Sequence, residues 1–234
     1  MNQSPAILKK FEKNLENSPK LDNIITLFKS LLNLTKIGSP FSTLISDFIP
    51  SRRFLRLETF AEDLSVEFKI CEEKVDTEYI TTDEFAFLFE QCFKAVSENY
   101  QKEKIDAFKA ILVNSTIDKT LKSIEKEVFL NLTKQLTVLH IRVLIFLHDT
   151  REYLKKINIP DFQIQGRYKD FIPTIFPDVD YETFKIVLDD LNNYGLTELQ
   201  SSSLNVITSS SGLRLLGDRR TTQFGEKYLR FIKL

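Results

Sequence analysis

The residues of this chain that could ligate metal ions or act as nucleophiles are few and widely spaced. The only two histidines, His140 and His148, are eight positions apart in one predicted helix. A zinc-binding pair on a helix instead has its histidines at positions i and i+4. The two cysteines, Cys71 and Cys92, fall on apolar faces of predicted helices, where a thiol stays protonated and unreactive. We therefore predict no metal site and no cofactor, and we interpret the histidines as core-edge residues.

Sequence motifs for phosphate binding and serine catalysis are also missing. The chain has no Gly-x-x-x-x-Gly-Lys-Ser/Thr loop to cradle a phosphate and no Gly-x-Ser-x-Gly elbow to present a serine nucleophile. The acidic pairs Glu72-Glu73 and Asp189-Asp190 are adjacent in sequence, so they do not face one another across a site as an acid and base would. We predict that the protein is not an enzyme and has no catalytic residue.

Composition gives the class of protein and its compartment. The 234 residues include 32 basic and 33 acidic side chains, a net charge of −1, so no overall field attracts nucleic acid. Only six glycines argue against an all-β fold. Two cysteines without a nearby partner favour a reducing environment. Charged residues from Lys9 to Lys13 interrupt any leader-like apolar run, and we predict a bacterial-type cytoplasmic location.

Apolar residues recur at helical spacing along most of the chain, which predicts a mainly α fold. Residues 1–136 are predicted to form a helical bundle with short connections. In the helix predicted to begin at Thr81 or Thr82 we expect Phe85, Phe89 and Phe93 to point inward. In the helix ending at Gln135 the predicted inward residues are Leu121, Ile124, Val128, Phe129 and Leu132. The run Lys102-Glu103-Lys104 is predicted to be the solvated start of a helix.

Residues 137–234 have the order of a winged-helix-like module with a small β-hairpin. Thr137 caps a strongly apolar helix, which we expect to be central to a core. Asp180 caps a helix that ends at Gly195, and irregular apolar runs over residues 204–222 predict the hairpin. A short last helix follows.

The helix before Gly195 occupies the place of a DNA-recognition helix, but its charge is wrong for DNA. Glu182, Asp189 and Asp190 outnumber Lys185, and carboxylates repel phosphate. The predicted hairpin is basic, because it contains the cluster Arg214, Arg219 and Arg220. These arginines are the predicted contact with nucleic acid or with a partner protein, and protein contact is the favoured interpretation.

A second basic cluster follows an apolar stripe. Phe41, Leu44, Ile45, Phe48 and Ile49 form the stripe, and Arg52, Arg53 and Arg56 come directly after it. An apolar face beside cations is typical of a membrane-surface segment. The polar side of the stripe has no lysine, however, so burial in the bundle is the favoured interpretation and contact with a membrane or a partner is the alternative.

Three short stretches resemble bacterial and phage-borne helical proteins of the abortive-infection alpha type. They are residues 49–60 around Ile49-Pro50-Ser51-Arg52-Arg53, residues 103–114 around Glu103-Lys104 and Asn114, and Leu136-Thr137 with His140-Ile141. The resemblance covers roughly residues 38–147. It implies a role in phage defence or another mobile-element trait, and it transfers no catalytic residue.

These observations predict a non-enzymatic protein-interaction factor that uses its C-terminal module to contact a protein partner. The first alternative is a DNA-binding transcriptional regulator that contacts DNA through Arg214, Arg219 and Arg220. The second is a membrane-surface protein attached through residues 41–56. An apolar face left over on the bundle would favour a homodimer.

Overall fold

The computed structural model describes residues 49–160, 168–205 and 219–234, and these residues are mainly helical. The α-helices are α1 Ile49–Ile70, α2 Thr77–Ile80, α3 Asp83–Glu98, α4 Lys102–Ile117, α5 Ser123–Gln135, α6 Val138–His148, α7 Thr150–Lys156, α8 Tyr168–Ile175, α9 Tyr181–Asn193 and α10 Gln223–Phe231. Two 3-10 helices, Glu72–Lys74 and Ser201–Asn205, lie among them. The part of the predicted bundle before Ile49, which includes the apolar stripe over residues 41–48, lies outside the described residues, as does Arg214.

The chain divides into two compact units. The first comprises the described residues up to Gln135 together with Phe231–Leu234, and the second is Leu136–Arg230. The division falls one residue before the predicted one, and the last four residues belong to the first unit rather than to the second.

The first unit is a helical bundle in which α3 packs against α1, α4 and α5. The Thr82 hydroxyl caps α3 by accepting the backbone N–H of Phe85. Phe85, Phe89 and Phe93 follow at intervals of four and are buried, so the predicted core face of α3 is confirmed. The ring of Phe93 meets that of Phe60 on α1 edge to face, with ring centroids 5.1 Å apart.

Two predictions about helix faces in the first unit are right only in part. Phe129 and Leu132 are buried as predicted. Ile124 and Val128 are exposed, by 69 % and 40 %, because Lys126 and Leu130 occupy the inward side of α5 instead. Lys102 and Glu103 begin α4 and are exposed as predicted, but Lys104 is buried. The Lys104 Nζ donates to the backbone oxygen of Lys134 at 3.0 Å, in the last turn of α5. A lysine can bury its aliphatic stem when its ammonium reaches an orphan carbonyl at a helix end.

The core of the second unit is built around α6, which packs against α7 and α9. Val143, Leu144, Phe146 and Leu147 are fully buried, which confirms the central place predicted for this apolar helix. Four aromatic rings, those of Phe146, Tyr153, Phe176 and Phe184, join α6 to the elements around it within this unit.

The winged-helix prediction holds only at the level of a mainly helical fold. The described residues contain no β-strand, and the hairpin predicted over residues 204–222 lies mostly in the undescribed stretch 206–218. On either side of that stretch Thr197 and Thr221 form one isolated antiparallel bridge. A single bridge is shorter than a strand, so the wing is not shown.

Candidate interaction surface

A glycine turn fixes how α9 ends. Gly195 has φ +69°, and its N–H donates to the Asn192 carbonyl at 2.8 Å while the Leu196 N–H donates to the Leu191 carbonyl at 2.9 Å. This pair of bonds is a Schellman motif, which needs a left-handed residue at the position of Gly195. The predicted closure of the helix by glycine is confirmed, and the turn sends the chain from α9 into the Thr197–Thr221 bridge.

Polar side chains in the C-terminal half of α9 bind neighbouring segments of the second unit. Asp189 Oδ1 accepts the Ser201 N–H at 2.8 Å, and the hydrogen bonds from Ser201 hold the pKa of Asp189 below its usual value. Asn192 Nδ2 donates to the Thr197 carbonyl at 2.9 Å, and Asn192 Oδ1 accepts from Gln200 Nε2 at 3.2 Å. These groups position α9 and are occupied, so Asn192 is not available to read a base.

The outward side of α9 carries an exposed isoleucine. Ile186 is 62 % exposed, and the exposed residues Glu182 and Asn193 lie four positions before it and seven after it, which places all three on one side of the helix. Tyr194, 40 % exposed, follows directly. We call Glu182, Ile186, Asn193 and Tyr194 the α9 face. The α9 face combines two largely apolar side chains with one carboxylate, whereas a surface that contacts phosphate needs cations.

The one basic residue of α9 is matched by an acid of the same helix. Lys185 Nζ lies 2.7 Å from Glu182 Oε2, and this hydrogen bond raises the pKa of Lys185. The ammonium also lies 5.7 Å from the ring centre of Tyr181. With that pair matched, Asp189 and Asp190 leave α9 acidic.

A hydroxyl, an imidazole and a carboxylate lie in a chain where α6 meets α9. Thr137 Oγ1 is 2.7 Å from His140 Nδ1, and His140 Nε2 is 3.3 Å from Asp190 Oδ2. The order resembles a nucleophile with its base and orienting acid. Thr137 Oγ1 also accepts the His140 backbone N–H at the start of α6, in a capping box. The arrangement therefore serves to cap α6 and to hold α9, and no spacing in the sequence indicated it.

The first unit contains a buried polar cluster that the sequence patterns also missed. Lys126 is 6 % exposed, and its Nζ lies 3.5 Å from Glu84 Oε1, 3.7 Å from the ring centre of Tyr79 and 3.2 Å from the Ser115 carbonyl, to which it donates. Tyr79 donates its hydroxyl to Glu84 Oε1 at 2.7 Å, and Ser123 donates to Glu84 Oε2. We call these five residues the Lys126 cluster.

The pKa of each titratable member of the Lys126 cluster is shifted from its usual value. Burial lowers the pKa of Lys126, and Glu84 opposes the shift. Burial, followed by the hydrogen bond to Glu84, raises the pKa of Tyr79. For Glu84 burial acts to raise the pKa, but hydrogen bonds from Ser123 and Tyr79 and the charge of Lys126 together bring it below its usual value. The ionised Glu84 carboxylate is held by the hydroxyls of Tyr79 and Ser123 and by the ammonium of Lys126. The cluster joins α2, α3, α4 and α5, so its role is structural.

The predicted arginine contacts differ in their surroundings. Arg219 is exposed and pairs with Glu226 at 3.3 Å between Nη1 and Oε1. Arg220 is half-buried and fixed by its backbone, because its N–H donates to the Leu147 carbonyl at 3.0 Å and its carbonyl accepts the Glu198 N–H at 3.1 Å. Arg219 is the more exposed residue of this pair.

The arginines of α1 also divide between surface and interior. Arg52 is exposed and Arg53 is half-buried, whereas Arg56 Nη2 donates to the Ser97 carbonyl at 2.8 Å, in the last turn of α3. Burial, with the nearby charges of Arg53 and Arg52, lowers the pKa of Arg56. Arg56 therefore serves the C-terminal end of α3 inside the first unit.

In the part of the chain that the structure describes, the residues that could ligate a metal ion do not gather into a site. Among the described residues no group of three or more His, Cys, Asp or Glu side chains could hold a metal ion. Cys71 and Cys92 are free thiols, and burial raises the pKa of both. Within the described ranges no single helix is long and apolar enough to cross a membrane.

No protein-family model matches this chain, and neither a curated protein nor a solved structure matches it significantly.

Proposed function

We propose that this protein is a non-enzymatic interaction factor whose second unit docks onto a protein partner through the α9 face. The observation that carries the proposal is that one part of α9 is bound to the second unit while another part is exposed. Its C-terminal polar groups bind Ser201, Thr197 and His140, while Ile186 projects with 62 % of its surface exposed. A rigidly held helix with a projecting aliphatic residue suits insertion into an apolar pocket.

The charge of α9 specifies the chemistry of the partner. Glu182, Asp189 and Asp190 outnumber Lys185, so the complementary surface is an apolar pocket bordered by lysine or arginine. Opposite charges at the rim of such an interface act mainly on the association rate. The proposal includes a cytoplasmic setting, which two free cysteines favour, and a role in phage defence, which rests on the resemblance of residues 38–147 alone.

The order of elements in the second unit supports a winged-helix-like form of the module. Helices α6, α7, α8 and α9 precede Thr197, the 3-10 helix Ser201–Asn205 lies between Thr197 and Thr221 in sequence, and α10 follows Thr221. In this proposal α9 takes the place of the recognition helix, with its outward side adapted to protein, and most of the predicted hairpin lies outside the described residues.

Photo-crosslinking from position 186 tests the proposed docking. A benzophenone amino acid would replace Ile186, and the exposed Thr174 on α8 would be the control position. We expect a cross-link in the cell of origin from position 186 only, to a peptide that contains lysine or arginine. Cross-links that form equally from both positions, or to nucleic acid, contradict the proposal.

Affinity measurements on the cross-linked partner test the chemistry. Ile186→Asp should weaken binding at least about tenfold because it puts a charge into the pocket, whereas Ile186→Val should stay close to wild type. Glu182→Lys should slow association and reduce its salt dependence. Unchanged affinity of Ile186→Asp would remove the α9 face from the interface.

A second candidate function, DNA binding, is favoured by the charge of the last described segment. Residues 219–234 contain five basic side chains and one acidic side chain, and Arg219, Lys227 and Arg230 are exposed. Titration of a short DNA duplex at several salt concentrations tests it. Replacing Arg219 and Lys227 by alanine should lower the salt slope by about one for each phosphate that is no longer neutralised. Absence of binding at low salt would eliminate this function.

A further inference from the structure

Helix α1 presents apolar residues on two opposite sides. Its inner side buries Phe60, Ala61, Leu64 and Phe68 in the first unit. Its outer side exposes Leu55 by 57 %, Val66 by 47 % and Ile70 by 75 %. At about 100° per residue these three side chains lie within about 60° of one another around the helix. We call them the α1 stripe, and a surface helix that packs only against its own core would not need it.

Charge changes sign along the same helix. Residues 49–61 contain three arginines and one glutamate, whereas residues 62–74, which extend into the 3-10 helix Glu72–Lys74, contain five acidic residues and two lysines. Arg52 at one end and Glu73 at the other are both exposed. The α1 stripe has apolar residues in both halves, so the surface is complementary to itself when one copy is reversed.

We propose that α1 is a homodimer interface, in which it pairs antiparallel with α1 of a second copy of this chain about a two-fold axis between Glu62 and Asp63. About this axis, two residues of α1 from different copies lie opposite one another when their residue numbers add up to 125. Leu55 then meets Ile70 of the second copy, and Arg52 faces the 3-10 helix Glu72–Lys74 of the second copy, in which Glu73 is exposed. Each such pair occurs twice, as in any isologous interface. A parallel pairing would oppose like halves and lose the charge complementarity.

The carboxylates next to the axis set a limit on the affinity. Glu62 and Asp63 of the two copies approach one another there, which is unfavourable. Lys109 offsets part of this cost, because its Nζ lies 3.8 Å from Asp63 Oδ2 and 3.9 Å from Glu67 Oε1. Three apolar side chains per copy also bury less than the roughly 800 Å² per partner of a standard interface. The dimer is therefore a weak one that forms reversibly with concentration.

Sedimentation equilibrium of the full chain, over roughly 1 to 300 μM, tests the pairing. We expect the average mass to rise from monomer toward dimer. Ile70→Glu should raise the dissociation constant at least about tenfold by placing a charge in the apolar contact. Ile124→Glu is the matched control, since Ile124 is 69 % exposed but lies on α5, and it should leave the dissociation constant unchanged. Circular dichroism confirms that each variant is folded.

Charge reversal tests the antiparallel register. Arg52→Glu and Glu73→Arg should each weaken association, and the two changes together should restore it, because the paired positions then carry opposite charges again. Glu62→Gln should tighten association by removing repulsion at the axis. A chain that stays monomeric throughout the concentration range overturns the proposal. So does a dimer that Ile70→Glu leaves unchanged, or a double reversal that fails to restore association.

Discussion

Replacing Lys126 by methionine should destabilise the first unit, because the Lys126 cluster depends on one buried ammonium. The change keeps most of the aliphatic stem but removes the charge. It eliminates the hydrogen bond from Nζ to the Ser115 carbonyl, the contact with the Tyr79 ring and the pair with Glu84. Glu84 keeps its two hydroxyl donors, Tyr79 and Ser123.

The size of the effect follows from these contacts. A hydrogen bond from a charged donor contributes about 1.5 kcal/mol, and a cation over an aromatic ring adds roughly 1 kcal/mol. The pair with Glu84 adds little more, because the Glu84 side chain is 31 % exposed and stays hydrogen-bonded. Burying a methionine in place of a desolvated ammonium recovers part of the loss. We expect a net loss of about 2 kcal/mol in the free energy of unfolding.

Urea unfolding at neutral pH, followed by circular dichroism, measures this loss. The matched control is Lys119→Met, since Lys119 Nζ lies 3.0 Å from Asp76 Oδ2 but its side chain is 75 % exposed. An exposed pair contributes at most about 1 kcal/mol. If Lys126→Met costs no more than Lys119→Met, the Lys126 cluster does not stabilise the fold and the reasoning from burial is wrong.

Three further predictions concern other parts of the chain. Because the pKa of Glu84 is below its usual value, its contribution to stability should be complete above the unfolded carboxyl pKa of about 4.3 and should be lost as pH falls through the lower folded pKa. Urea midpoints across this range should therefore fall less steeply for Glu84→Gln than for wild type. Gly225→Ala should destabilise the second unit by at least about 2 kcal/mol, because the added Cβ would lie 2.1 Å from the Leu196 carbonyl oxygen; an unchanged melting temperature would contradict this. Asn114→Ala should loosen residues 231–234, since Asn114 Nδ2 donates to the carbonyls of Phe231 and Lys233, each at 2.9 Å; faster amide exchange confined to that segment is the expected result, and unchanged exchange there contradicts it.

The sequence predicts those elements that depend on residues close together in the chain, such as a repeat of apolar residues at helical spacing. Phe85, Phe89 and Phe93 recur every fourth residue, and one helical face follows from that spacing. Thr137 and Gly195 are a cap and a stop that act on their own neighbours. These features need no knowledge of the rest of the chain, and the structure contains each of them.

Features that depend on distant residues were not predicted. A lysine is usually exposed to solvent, and the burial of Lys126 is favourable only because Glu84, Tyr79 and Ser115 lie close to its ammonium. Because Lys126 faces inward, Ile124 faces outward. The expectation that apolar side chains face the core therefore failed at Ile124 because of the burial of Lys126. Lys104 is a similar case, because the carbonyl that accepts from it belongs to Lys134, 30 positions away.

The sequence position of Phe231–Leu234 has a consequence for how the chain folds. The ring of Phe231 lies 5.6 Å from that of Phe129, centre to centre, and Asn114 binds the carbonyls of Phe231 and Lys233, so these last residues complete the packing of the first unit. All of Leu136–Arg230 is synthesised before they emerge. The first unit can therefore complete this packing only after Leu136–Arg230 has been synthesised, and the chain joins the second unit to the first at both of its ends. Unfolding of the second unit would let the residues up to Gln135 move away from Phe231–Leu234, which the first unit packs together. We therefore expect unfolding of the second unit to destabilise the first.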